Sequence, residues 1–87
     1  MAVERQRLEA DRLANLARAF GWDLVEQIFS DEGITMKYSM PYEEQKKETA
    51  KIMVDRLIAT ASTMGFSEKE TSWLGNQVIV TLFKPAS

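Results

Sequence analysis

Residues 33–41 read Gly33-Ile34-Thr35-Met36-Lys37-Tyr38-Ser39-Met40-Pro41. Ile34, Met36, Tyr38 and Met40 fall to one side of an extended chain, and Thr35, Lys37 and Ser39 fall to the other. Such alternation marks a strand with one buried face. At an offset of 44 residues the same phase returns in Val78, Val80 and Leu82, and Pro85 closes that run as Pro41 closes the first. Ile79 and Phe83 occupy the opposite phase, so the second strand is apolar on both faces.

The 44-residue offset extends over nearly the whole chain. Identities fall at Glu4/Glu48, Asp11/Asp55, Arg12/Arg56, Leu13/Leu57, Ala17/Ala61, Gly21/Gly65, Glu26/Glu70 and Pro41/Pro85. Chance pairing at average composition gives about two or three. Leu8/Ile52, Phe20/Met64 and Trp22/Phe66 add similar pairs. The chain therefore reads as one domain built from two related halves, 1–44 and 45–87.

Each half opens with a helical pattern. Ala10, Leu13, Leu16, Ala17 and Phe20 share a face over Val3 to Phe20, and Gly21 supplies the stop. Ala50, Met53, Val54, Leu57, Ala61 and Met64 share a face over a second helix that starts at Tyr42 or Glu43, behind Pro41, and stops at Gly65. Glu43, Glu44 and Glu48 suit the positive end of its dipole. A hairpin follows each glycine: Trp22–Phe29 turning through Ser30-Asp31-Glu32-Gly33, and Lys69–Leu74 turning through Gly75-Asn76. Asp23-x-x-Glu26 and Ser67-x-x-Glu70 also fit a capping box, which offers a short helix as the alternative in both places. The expected fold is α+β, an internally duplicated αββαββ. A four-stranded antiparallel sheet carries both helices on one face.

Composition narrows the chemistry. With no His and no Cys among 87 residues, the chain offers no imidazole base, thiolate, disulfide or zinc-finger ligand set. The four glycines are isolated, so no phosphate-cradling loop is present. Neither an enzymatic activity nor a cofactor or metal site is expected. Net charge is −2, with five Lys/Arg against nine Asp/Glu up to Glu44 and six against four after it. This lacks the basic surplus of a sequence-independent DNA binder. No apolar run reaches the ~18 residues of a membrane span, and a cytoplasmic location is the default.

Several residues remain as interaction candidates. Leu8 and Ile52 lie about 140° off the apolar face of their helices and are equivalent under the offset, so both suit a contact between helices or between subunits. Ile79 and Phe83 would need cover from a second subunit or from the chain end. The outer face of the sheet would comprise Thr35, Lys37, Ser39, Lys69, Thr71, Ile79, Thr81 and Phe83. Lys37, Lys69 and Lys84 give a less favoured nucleic-acid reading of that face. Asp11-Arg12 and Asp55-Arg56 read as surface or interhelix ion pairs, with two arginines converging on an anion as the alternative. Asp31-Glu32 reads as turn chemistry before it reads as a cation site. The expected function is a small non-enzymatic interaction or regulatory protein, acting as a homodimer or through a partner.

Overall fold

The alternating apolar runs form strands in the computed structural model, which describes residues 2–86. In chain order the elements are α1 (Ala2–Ala19), β1 (Asp23–Ser30), β2 (Gly33–Pro41), a 3-10 turn (Glu44–Lys46), α2 (Lys47–Thr63), β3 (Ser67–Leu74) and β4 (Gln77–Pro85). The four strands make one antiparallel sheet in the order β1-β2-β4-β3, so the fold is α+β.

Pairing follows the same offset as the sequence. Every β1–β2 pair, from Asp23↔Ser39 to Ser30↔Gly33, recurs 44 residues later, from Ser67↔Phe83 to Leu74↔Gln77. The bulges recur too, at Val25 and Lys69. Between the halves, β2 pairs with β4 symmetrically about Lys37↔Thr81, two residues that are themselves 44 apart. A two-fold axis through that pair generates this register.

Both helices end alike. Gly21 N–H donates to the Arg18 carbonyl and Trp22 N–H to the Ala17 carbonyl, each at 3.0 Å. Gly65 and Phe66 make the equivalent bonds to Ser62 and Ala61. This is the Schellman arrangement, and it requires the left-handed φ of 91° and 89° that the two glycines adopt. Trp22 and Phe66 follow directly and are buried, so each helix stop also plants an aromatic anchor in the core.

The core takes Ala10, Leu13, Ala14 and Ala17 from α1 and Ala50, Val54, Leu57 and Ala61 from α2. Ile34, Met36, Tyr38 and Met40 join from β2, and Val78, Val80 and Leu82 from β4. All belong to one cluster. The small helix residues let the helices lie close on the sheet.

Some expectations are corrected. Leu16 and Phe20 are exposed rather than buried, because Ala14 replaces them on the sheet-facing stripe. The second helix starts at Lys47, not at Tyr42 or Glu43. Tyr42 N–H donates to the Asn76 carbonyl at 2.9 Å, which holds the chain extended beyond Pro41. The hairpin expectation holds at both capping-box segments: each is strand, because each pairs along its length with a hairpin neighbour, whereas an isolated helix of seven or eight residues would be marginal.

Candidate interaction surface

The face of the sheet opposite the core is organised in cross-strand rows. One row runs Ile28–Thr35–Phe83–Ser67 and another Asp23–Ser39–Ile79–Ser72. Glu26, Lys37, Thr81 and Glu70 form the row between them. Ile79 and Phe83 are therefore on this outer face and half-buried by their neighbours. Thr71 is not. The bulge at Lys69 shifts the alternation, so Thr71 pairs with Val80 and belongs to the helix side.

The three lysines do not form one basic surface. Lys37 Nζ lies 3.5 Å from Glu26 Oε1, and Lys69 Nζ stands 5.1 Å from the centre of the Phe83 ring. Lys84 is set apart from both. It forms an ion pair with Glu9 of α1 and lies 5.9 Å from the centre of the Phe66 ring, so it is on the helix side. The positions 44 residues away from Glu9 and Lys84 hold Met53 and Met40, so this ion pair has no counterpart in the other half. Glu9 and Lys84 line two shallow clefts of about 340 and 380 Å³, one reaching Arg5 and the other Arg12.

Leu8 and Ile52 are 65% and 57% exposed, so neither packs between the helices. Arg12 lines a cleft that Arg56 does not, which removes the convergence of the two arginines on one anion there. Among the described residues, neither Asp-Arg dipeptide makes an ion pair within 4 Å. Successive helix residues point about 100° apart, so adjacency in sequence does not bring such charges together. Asp31 and Glu32 form the β1–β2 turn, where Ser30 Oγ accepts from the Glu32 N–H at 3.2 Å. No group of three or more carboxylates among the described residues is placed to hold a metal. Glu43 carboxylate oxygen lies 3.7 Å from Lys46 Nζ.

The edges of the sheet differ more than its faces. On β1, Leu24, Val25 and Ile28 are 40%, 55% and 46% exposed. The equivalent residues of β3 are Glu68, Lys69 and Ser72. Among the described residues, the exposed large apolar side chains are Leu8, Leu16, Phe20, Leu24, Val25, Ile28, Ile52 and Leu74, and six of these eight belong to α1, β1 and the turn between them. Leu24, Val25 and Ile28 are not among the interaction candidates of the sequence, because residues lying off a buried face do not mark a sheet edge. Comparison of the two halves position by position carries the signal, since the same backbone site is apolar in one and polar in the other.

Comparison with family models, with curated proteins and with solved structures finds no match. No described helix is long and apolar enough to cross a membrane.

Proposed function

We propose that the chain is a small, non-enzymatic protein-interaction module that works as a homodimer or by capturing another protein. One observation carries this reading: exposed apolar side chains are concentrated on α1 and β1, while the equivalent strand sites on β3 are polar. A scaffold that can place charge at these positions in one half, and places aliphatic groups there in the other, has the composition of a contact surface. We read the shared register as an internal duplication whose halves have diverged at their edges. A cytoplasmic site of action goes with this, since a chain without cysteine needs no oxidising compartment to fold.

Size-exclusion chromatography with light scattering tests the reading. The chain should show a mass above 9.9 kDa that rises with concentration up to about 100 μM. Val25→Lys should return it to the monomer. A constant monomer mass across that range would refute self-association. The alternative, nucleic-acid binding by the open face, is left with Lys37 and Lys69, each already engaged with Glu26 or Phe83. Fluorescence anisotropy at low salt should show no oligonucleotide binding.

A further inference from the structure

We propose that two copies of this chain join through β1, edge to edge and antiparallel, to make one continuous eight-stranded sheet. The inference rests on the interaction reading above and names its partner and its seam.

β1 and β3 are the two free edges of the sheet. An exposed edge strand is a template for further pairing unless charge, proline or a bulge blocks it. Each edge has a bulge, at Val25 and Lys69. Beyond that they part: β3 carries Glu68, Lys69 and Glu70 in succession, while β1 has no lysine, and Glu26 is the only charge between Leu24 and Ser30. β3 is built as an edge that stays free. β1 is built as one that pairs.

The register follows from the side chains. Residues directly opposite in an antiparallel pair share a face, so a two-fold axis must fall at one residue and its own copy. An axis at Glu26 opposes two carboxylates, and an axis at Gln27 sets the Glu26 carboxylate against Ile28. An axis at Ile28 sets Ile28 against Ile28, Glu26 against Ser30 and Gln27 against Phe29. The bulge at Val25 ends the ladder there, leaving the segment Glu26–Ser30 to pair.

The helices then meet. α1 packs on both β1 and β2, so its axis lies inside the edge by about half a strand spacing. Strands about 4.8 Å apart would bring α1 and its copy to roughly 10 Å, the spacing of packed helices. Arg7 lies 5.9 Å from the centre of the Phe29 ring, which fixes the flank of α1 that overlooks the edge. Glu4, Asp11 and Arg18 are within about 60° of Arg7 around the helix. None of these four makes an ion pair within 4 Å among the described residues. With the axis at Ile28, one residue from Phe29, the helical rise places it near Glu9, and Arg7 of one copy faces Asp11 of the other. Arg7 and Asp11 are thus self-complementary in the antiparallel arrangement, which sets two opposite-charge pairs about the axis.

Size and closure agree with a dimer. The five paired residues Glu26–Ser30, about 17 Å long, with the flanks of two helices above them, make a small interface at the lower end of the range for a specific contact. The affinity should therefore be micromolar. Once β1 is used, the remaining edges are β3 and its copy, where Ser72 stands in place of Ile28 and Glu68 and Lys69 flank the segment at the bulge, which opposes further growth.

Because the chain contains no cysteine, single cysteines report on the seam without background. Ile28→Cys and Ser72→Cys occupy equivalent places on the two edges, and both sites are accessible in the free chain. Opposed Cβ atoms in such a pair lie about 4.5–5.5 Å apart, within reach of a disulfide after small adjustment. Mild oxidation at about 100 μM should convert most of Ile28→Cys to a covalent dimer and leave Ser72→Cys monomeric, with light scattering on the unmodified chain giving twice the monomer mass. A dimer by light scattering in which Ile28→Cys fails to cross-link, or in which Ser72→Cys cross-links as readily, overturns the β1 seam and leaves the interaction reading standing. A monomer by light scattering with no cross-linking overturns the seam and self-association together.

Discussion

Gly33→Ala should destabilise the fold far more than Gly21→Ala, although both glycines have positive φ. Gly33 opens β2 and pairs with Pro85 at the end of the central ladder. An added Cβ there would overlap the Lys84 carbonyl oxygen and stand 2.9 Å from the Pro85 Cα. Those are backbone atoms, so relief requires β2 and β4 to separate. The neighbouring bond from the Ala86 N–H to the Glu32 carbonyl, 2.8 Å long, goes with them. Left-handed strain of about 1–2 kcal/mol, added to one or two lost hydrogen bonds of about 1 kcal/mol each, gives about 3 kcal/mol. At Gly21 a Cβ meets nothing within 4 Å, so only the strain of about 1 kcal/mol remains. A domain of this size loses about 4–8 °C of Tm per kcal/mol. Thermal unfolding by circular dichroism should therefore place Gly33→Ala some 12–24 °C below the parent and Gly21→Ala about 4–8 °C below it. Equal shifts in the two variants would refute the close approach of β2 to β4 at this point.

Two further predictions concern polar groups on the helix side of the sheet. Replacing the Glu9–Lys84 pair by the methionines of the equivalent sites, Glu9→Met with Lys84→Met, should change stability by less than about 1 kcal/mol in urea unfolding, because a partly exposed pair contributes little. Lys84→Met alone should be the worse variant, since it strands the Glu9 carboxylate. The Tyr38 hydroxyl is buried without a hydrogen-bond partner among the described residues, so Tyr38→Phe should be neutral or stabilising by up to about 1 kcal/mol. Burial raises the Tyr38 phenol well above its usual pKa of 10.0 and outweighs the opposing Arg18 charge. The folded state then holds a proton that the unfolded state releases, and stability present below pH 10 falls as the pH rises beyond it. Tyr38→Phe should move alkaline unfolding to higher pH, and an unchanged midpoint would contradict the burial of the hydroxyl.

The central strands were legible because their alternation is strict. Ile34, Met36 and Tyr38, with Val78, Val80 and Leu82, are buried in the phase the sequence implies. The helix stops were legible in Gly21 and Gly65, where only glycine takes the required φ without strain. The bulges were not, because no residue type announces that Val25 or Lys69 will be left without a partner in the ladder. Thr71 consequently sits on the helix side of the sheet instead of the outer face. Leu16 and Phe20 misled for another reason: a helix that lies close on a sheet selects small residues, and the alanine stripe displaced the larger side chains to solvent. The apolar edge was present in the sequence as Leu24, Val25 and Ile28 against Glu68, Lys69 and Ser72, but it takes the shared register to show that these residues occupy equivalent sites.

Amide hydrogen exchange by mass spectrometry at low and high protein concentration tests the β1 seam most directly. In the free chain the outward amides of β1 and β3 are both open edges and should exchange alike. At about 100 μM, peptides covering Glu26–Ser30 should slow by tenfold or more while those covering Glu70–Leu74 stay unchanged. Exchange in β1 that is independent of concentration, or slowing confined to β3, would contradict the account.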